Sequence, residues 1–305
     1  MEGQFKPGSD FAKFLDNNDP LGYVRKRFYI KENCIYMCGN SLGLASKDSE
    51  ETALKVLDKW KNEGVKIWNV DDNKYYMYSM HLAKLMTPIV GADHDEIAIV
   101  SATTVNIHQL ISTFYKPTKD RYKILIDNIN FPTDRYAIES QVRLKGYTPE
   151  EPGLAGWYGN RSETQFMLRQ NFEHRKDAGA LEGSLKIFAD VGMMAIRKKS
   201  LRITGYLIYL IDEKLTKFGF SVGNLRDDSK RGGHVCLEHD EGYRISLAMK
   251  ARGVIPDFRD PNVIRLAPTA LYTSYEEVYN MVDIIIDIVK SETYKEFSVK
   301  RNLVV

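Results

Sequence analysis

Apolar residues along the first part of the chain recur with the spacing of amphipathic helices. The pattern predicts a helix that begins at Ser9 and ends in the Asn-Asn-Asp-Pro run of residues 17–20. It predicts a second helix over residues 48–64, closed by Gly64. Between them, residues 34–38 form a short apolar strand that leads into the turn of residues 39–43, Gly-Asn-Ser-Leu-Gly. The inner faces of the two helices carry Phe11, Phe14, Leu15, Ala53, Val56, Leu57 and Trp60.

Residues 96–146 alternate between strand and helix patterns. Residues 96–100 and 122–127 are short apolar runs typical of buried strands. A helix pattern follows each run. The first helix follows the turn of residues 102–104, and the second follows an N-cap residue, Asp134, and is closed by Gly146. The apolar faces of these helices carry Ile107, Leu110, Ile111, Phe114, Ile138 and Val142.

This alternation stops after Gly146. Residues 147–154 read as a bare loop, and residues 162–181 are polar and charged. Two strands do not make a stable parallel sheet, which needs several neighbouring strands and helices on both faces. Either the sheet is completed in an unusual way or a piece of it is absent from the chain.

Ordered patterns resume at Gly183 and predict a smaller α/β domain. Its last helix opens with the sequence of a capping box, Ser274-Tyr275-Glu276-Glu277. Helices are predicted over residues 185–188, 193–215 and 243–252, and strands over residues 218–222, 234–238, 254–258 and 263–266.

Composition and charge exclude several classes of function. The 305 residues are 43% hydrophobic and 28% charged, which are values of a globular protein with one large or two medium domains. The formal net charge is +2, so no electrostatic case exists for a nucleic acid or an anionic membrane as partner. The apolar run of residues 278–289 is interrupted by Asp283 and Asp287, and no membrane span is expected. The first ten residues do not resemble a signal peptide.

Three cysteines are too few for a disulfide framework and favour a reducing, cytoplasmic setting. Cys34 and Cys38 have metal-like spacing but lack a second ligand pair, and the six histidines show no metal-ligand pattern, so no metal site is predicted. Phosphate-binding loops of the common types and a nucleophile elbow are also missing.

Three local features are candidates for ligand binding. Thr103 and Thr104 lie at a helix start, where free backbone N–H groups suit an anion, although the spacing alone favours two ordinary capped helices. The aromatic residues 75, 76 and 78, with His81, line a pocket or belong to a core. Arg265 is a charge inside an apolar strand and therefore needs an anionic partner. That partner is either an internal Asp or Glu or the carboxylate of a substrate held by two parallel hydrogen bonds.

Several segments taken together resemble kynureninase, a pyridoxal-phosphate (PLP) enzyme of aminotransferase fold type I. They follow one another nearly end to end and in the order of that family. The matching segments are residues 39–44 (GNSLGL), 101–141 (beginning SATT and containing FPTD), 153–159 (GLAGWYG), 199–207 (KSLRITGYL), 231–233 (RGG) and 257–268 (DFRDPNVIRLAP).

The resemblance implies a fold and a domain division. The fold class is α/β, a fold-type-I PLP-dependent transferase-like architecture with a truncated large-domain sheet and a smaller C-terminal α/β domain. Residues 1–45 would form an N-terminal arm and a small-domain segment. Residues 46–182 would form the large, PLP-type domain in an internally shortened form, and residues 183–305 the C-terminal small domain.

The resemblance also implies roles for individual residues. Thr103 and Thr104 would hold the PLP phosphate, and Phe131 would stack on the pyridine ring within the run Phe131, Pro132, Thr133 and Asp134. Trp157 would close on the phosphate of the other copy in a homodimer with shared sites. Arg265 would bind the amino-acid carboxylate, and Ser41 and Asn160 would lie near this small-molecule substrate. The family commonly has histidine where Asn160 stands, and a second substrate-contacting histidine is not evident near Val65 and Lys66.

A larger departure concerns the segment between Gly146 and Pro152. The family carries several strands and helices there, including the aspartate that pairs with the pyridine nitrogen and a Ser-Tyr-Lys run whose lysine forms the Schiff base. These motifs do not occur in this sequence, so no catalytic residue is assigned. A second, shorter loss falls within residues 172–180, where the family has a Ser-Asn-Pro-Pro-type turn.

The reaction implied is PLP-dependent hydrolytic cleavage of L-kynurenine, or its 3-hydroxy form, to anthranilate (or 3-hydroxyanthranilate) and L-alanine. It belongs to tryptophan breakdown and NAD biosynthesis. The alternative is a catalytically inactive homologue or fragment, because PLP needs both the carboxylate and the lysine to act as an electron sink. A desulfurase-like activity is a third interpretation, which the lack of a cysteine in a glycine-rich loop disfavours.

Overall fold

A computed structural model describes residues 5–126, 132–148 and 171–299. The chain divides into two compact units. We call Met1–Leu54 with Ala180–Val305 the discontinuous unit, and the residues between them, 55–179, the middle unit. The division into residues 1–45, 46–182 and 183–305 that the resemblance implies stays a prediction.

The secondary structure of the described residues is mostly helical. The helices are α1 (Ser9–Asn17), α2 (Lys47–Glu63), α3 (Tyr78–Val90), α4 (Thr103–Phe114), α5 (Pro132–Leu144), α6 (Asn171–Val191), α7 (Met193–Lys214), α8 (Gly242–Ala251) and α9 (Tyr275–Lys290). The strands are β1 (Ile35–Tyr36), β2 (Ser221–Val222), β3 (Val235–Glu238), β4 (Val254–Ile255), β5 (Asp257–Arg259) and β6 (Val263–Leu266).

The discontinuous unit is built on a four-stranded antiparallel sheet with the order β2-β3-β6-β5. A separate parallel pair joins β1 to β4, with Ile35 opposite Val254. The α/β class is therefore confirmed. The predicted strand over residues 254–258 is two short strands instead of one.

The core of this unit lies between one face of the four-stranded sheet and helices α7, α8 and α9. Along β6, Ile264 and Leu266 are buried whereas Val263 and Arg265 are half-buried, which is the alternation of a strand with one face on a core. The predicted capping box is present, with Glu277 N donating to Ser274 Oγ (3.1 Å) and Ser274 N donating to Glu277 Oε2 (2.9 Å). The apolar face predicted for the last helix is buried as expected: Val278, Met281, Val282, Ile285 and Ile288.

Charged groups near the N-terminus tie α1 and the following turn to α7 and α9. The Asp16 carboxylate accepts from the backbone N–H groups of Tyr275 (2.7 Å) and Glu276 (2.9 Å) at the start of α9. The Lys199 ammonium of α7 lies 2.6 Å from Asp19 Oδ2, and both side chains are almost fully buried, 6% and 4% exposed. Arg25 forms two hydrogen bonds with the Glu277 carboxylate, 2.7 and 2.8 Å long.

The middle unit corrects several predictions. Residues 96–100 and 122–126 form no strand, and residue 127 lies outside the described residues. A strand needs a hydrogen-bonded neighbour, and these two apolar runs have no neighbouring strand among the described residues. Helix α4 forms where predicted and packs against α5, but it has no buried residue, and Leu110 and Phe114 are 57% and 75% exposed.

Three smaller predictions about side chains were wrong or only partly right. Phe14 and Trp60 were expected inside but are 54% and 46% exposed, because the buried faces of their helices are centred on Ala12 with Leu15 and on Val56. Among the aromatic residues 75–81, Tyr75 and Tyr78 are buried in a small core that also contains Val56 and Ile67. These two tyrosines therefore belong to a core.

No helix among the described residues has the length and apolarity needed to cross a membrane.

The buried pair of Lys199 and Asp19 gives a stability prediction. The change Lys199→Met keeps the apolar stem but leaves the Asp19 carboxylate buried without its cation, which costs about 3–5 kcal/mol. Urea unfolding should show this loss, and adding Asp19→Asn should recover part of it because the uncompensated charge is removed. The matched control is Arg252→Met, since Arg252 and its partner Asp287 are exposed (41% and 61%) and such pairs contribute at most about 1 kcal/mol. Equal losses in the two variants would contradict the prediction.

Candidate functional site

The face of the four-stranded sheet opposite the core carries a row of polar side chains. Arg265 on β6 is directly opposite Cys236 on β3 on one side and Asp257 on β5 on the other. Directly opposite residues of neighbouring strands lie on the same face of a sheet. These three residues therefore form a row across three strands, with Arg265 in the middle.

Arg265 and Asp257 form an ion pair within this row. Arg265 Nε donates to Asp257 Oδ2 over 2.7 Å, and Nη2 donates to the same oxygen. The Asp257 side chain is only 7% exposed, whereas that of Arg265 is 24% exposed. Of the two partners considered from the sequence, the structure contains the internal aspartate. Arg265 Nη1 makes no hydrogen bond within the described part of the chain, so a second carboxylate can still bind to this guanidinium.

The groups near this ion pair have shifted pKa values. Burial raises the pKa of the Cys38 and Cys236 thiols. Burial lowers the pKa of His234, and the charge of Arg265 lowers it further while Asp257 acts in the opposite direction. At neutral pH both thiols therefore keep their protons and His234 is uncharged. Burial also lowers the pKa of Lys250, which the Asp257 charge partly offsets.

The turn that contains Ser41 is held against the end of the Arg265 strand. Cys38 forms a parallel bridge with Ala267, two residues after Arg265, and Ala267 N donates to Met37 O over 2.8 Å. A Cβ atom on Gly39 would lie 2.1 Å from Thr269 Oγ1, so only glycine allows this close approach. Ser41 itself is exposed, and its N–H donates to Cys38 O over 3.1 Å. The structure thus places the turn of Ser41 beside the strand end that carries Arg265.

Helix α4 begins at Thr103 in the middle unit. Its N-cap, Ala102, has extended backbone angles and no side-chain hydrogen bond caps the helix. Thr103 is exposed and Thr104 is half-buried. The first N–H groups of a helix have no acceptor within the helix, and Asn106 N is the first that donates back, to Ala102 O (3.0 Å). This helix start can therefore accept an anion such as a phosphate group.

Helix α5 begins three residues earlier than predicted. Pro132 is its first residue, which suits proline because its fixed φ angle matches the first helical position. Asp134 is therefore in the first turn and is not the N-cap, although its charge still favours that end of the helix. Thr133 is 6% exposed.

Phe131, Trp157 and Asn160 lie outside the described residues, so their predicted roles stay predictions. Among the described residues, no group of three or more His, Cys, Asp or Glu side chains could hold a metal ion.

The residues present fit only one end of PLP. The start of α4 offers free N–H groups and two hydroxyl groups to a phosphate. The ring needs a sheet edge with a carboxylate and a lysine behind it. In the described part of the middle unit, the two predicted strands are unpaired, and the Ser-Tyr-Lys run is absent from the sequence. The chain as it stands therefore does not fit the whole cofactor.

Asp257 was missed as a candidate by the sequence reasoning. It lies in the matched run of residues 257–268 and ends an apolar stretch, which are signals of a buried charge. Its strand is only three residues long, and the register that places it opposite Arg265 could not be read from so short a pattern.

Comparison with known proteins identifies the family. A family model described as "Kynureninase C-terminal domain" matches residues 196–285. A kynureninase of Geobacillus thermodenitrificans is 35% identical over 421 positions, which cover 98% of this chain and 98% of that protein. Kynureninases of Bacillus cereus and Shouchella clausii are 34% and 32% identical, over 98% and 97% of this chain and 99% and 97% of their own lengths.

The length of these alignments agrees with an internal loss. The alignment with the Geobacillus protein runs over 421 positions, but this chain has 305 residues. The relatives therefore carry residues within the aligned span that this chain lacks. From its end-to-end similarity and its matched C-terminal domain, we conclude that the chain belongs to the kynureninase family of fold-type-I PLP enzymes, in an internally shortened form.

Proposed function

We propose that this chain binds L-kynurenine or its 3-hydroxy form, the substrates of kynureninase. The reaction to which the binding belongs is hydrolytic cleavage to anthranilate, or 3-hydroxyanthranilate, and L-alanine. One observation carries the proposal: Arg265 stands in the middle of the polar row, partly exposed and with Nη1 not hydrogen-bonded in the described part of the chain. A guanidinium with two free donors matches the two oxygens of an amino-acid carboxylate.

The family resemblance supports further roles for individual residues. Ser41, in the turn beside the Arg265 strand, and Asn160 would contact the substrate. Thr103 and Thr104 would hold the PLP phosphate at the start of α4. Phe131 would stack on the cofactor ring.

The proposed assembly is a homodimer. In it, Trp157 would close on the phosphate bound by the other copy. Tryptophan breakdown and NAD biosynthesis are the pathways in which such a protein would act, and the cytoplasm is the proposed location.

A second candidate function is that of a non-catalytic homologue. Two observations favour it. The Ser-Tyr-Lys run is absent from the sequence, and residues 96–100 and 122–126, which were predicted as strands, form none. When it is bound by a carboxylate and a lysine, PLP stabilises a carbanion, and neither residue has a counterpart here. Substrate binding and turnover can thus be separated in this chain, and each has its own experiment.

The first experiment uses His234 as a reporter of a carboxylate at Arg265. The Arg265 charge contributes to the lowered pKa of His234, so a bound carboxylate should raise that pKa towards its ordinary value of about 6.5. NMR titration of the histidine ring with and without saturating L-kynurenine measures the change. In Arg265→Gln the His234 pKa should rise without ligand and no longer respond to kynurenine.

The matched control for this titration is Arg252→Gln, because Arg252 is an exposed arginine that pairs with Asp287. It should leave both the His234 pKa and its response to kynurenine unchanged. If kynurenine does not move the His234 pKa in the unmodified protein, the proposed binding at Arg265 is wrong.

The second experiment tests turnover. The purified chain is incubated with PLP, treated with borohydride and analysed by mass spectrometry, and anthranilate release from kynurenine is followed by fluorescence. Without the lysine run, we expect no single lysine to be modified in a one-to-one ratio with PLP, and no anthranilate. Inserting the additional residues of the Geobacillus relative after Gly146 should restore both. Anthranilate release by the chain as it stands would exclude the non-catalytic interpretation.

A further inference from the structure

We propose that Asp257 is a positioning residue, which holds the Arg265 guanidinium so that one of its edges is kept for the carboxylate of a ligand. This inference rests on the proposed binding of an amino acid at Arg265. It assigns to Asp257 a role in ligand recognition as well as in folding.

The hydrogen bonds determine which edge stays available. A guanidinium is planar and has two edges with a pair of parallel donors, Nε with Nη2 and Nη1 with Nη2. Asp257 occupies the first edge, because Nε and Nη2 both donate to its Oδ2 atom. The second edge keeps one hydrogen on Nη1 and one on Nη2, which suffices for a second carboxylate bound by two parallel hydrogen bonds.

The backbone makes Asp257 a rigid support. Asp257 and Arg265 are directly opposite each other on adjacent antiparallel strands, so their side chains meet because of the strand register. The Asp257 side chain is 7% exposed, and the residues before and after it in the chain, Pro256 and Phe258, are also buried. A side chain fixed in its binding geometry before the ligand arrives loses less conformational entropy on binding.

A second guanidinium limits the repulsion between Asp257 and an incoming carboxylate. Arg259 Nη2 lies 3.5 Å from the same Oδ2 atom that accepts from Arg265. The negative charge of Asp257 is thus screened on two sides. The nearby Cys38, Cys236 and His234 carry no charge at neutral pH, because burial raises the pKa of both thiols and lowers that of the imidazole.

A purely structural role for Asp257 makes a different prediction from a positioning role. If Asp257 only neutralises a half-buried arginine, its loss affects all ligands of the site alike. If it positions Arg265, its loss affects ligands with a carboxylate and spares those without one. L-Kynurenine and kynuramine, the amine that remains when the kynurenine carboxylate is removed, form a matched pair of probes.

The experiment measures the binding of both probes by isothermal titration calorimetry to the full chain and to Asp257→Asn. We expect kynurenine to bind about tenfold more weakly to the variant, because the guanidinium is no longer fixed, and kynuramine to bind with the same affinity as before. Asp257→Glu, which keeps the carboxylate, should recover part of the kynurenine affinity. The matched control is Asp283→Asn, whose carboxylate is 44% exposed and pairs with Lys214 between helices α9 and α7, and both affinities should stay unchanged.

Equal weakening of the two probes, or no weakening of either, would overturn the positioning role. If the unmodified chain binds no kynurenine, the proposed function is wrong. A second measurement then tests the positioning role of Asp257 without any ligand. Hydrogen exchange of the Arg265 Nε–H, followed by NMR, should be slow in the unmodified chain and fast in Asp257→Asn. Unchanged exchange in the variant would disprove the positioning of Arg265 by Asp257 independently of any kynurenine result, and Asp257→Glu serves for this comparison if Asp257→Asn does not fold.

Discussion

The discontinuous unit depends on charged contacts that join the two ends of the sequence. Asp16 caps the start of α9, Asp19 pairs with Lys199 of α7, and Arg25 binds Glu277. These contacts bring together residues that are separated by well over half of the chain. The Lys199 pair is buried, so either partner alone would be a desolvated charge, and the arrangement is stable only when both segments are present.

This closure explains how an internal loss leaves one unit intact. The core of the discontinuous unit uses α1, α7, α8, α9 and the four-stranded sheet, all from residues outside the middle of the chain. The internal loss affects the middle unit differently. A sheet is stabilised by the hydrogen bonds between neighbouring strands, and a strand that loses its neighbours has no others to replace these bonds. That is why α4 forms from local sequence yet buries none of its apolar residues, and why the runs 96–100 and 122–126 remain unpaired.

The sequence predicted the elements that local interactions determine and missed those that depend on distant partners. The helix over residues 193–215 and the Ser274 capping box were right because periodicity and capping act within a few residues. The strands of the middle unit were wrong because their patterns contain no information about the presence of a neighbour. The start of α5 was wrong by three residues, because the pattern favoured Asp134 as the N-cap whereas Pro132 fits the first helical position.

At the candidate site, too, local features could be predicted from the sequence and contacts between distant residues could not. The need of Arg265 for an anion follows from one charge in an apolar strand, whereas the identity of that anion depends on the register between β5 and β6. From the sequence, an internal aspartate and a substrate carboxylate were alternative partners of Arg265. They are compatible, because a guanidinium has two edges and Asp257 uses one of them through a single oxygen. The aspartate that pairs with Arg265 therefore leaves donors for a second carboxylate, which is what the proposed recognition of an amino acid requires.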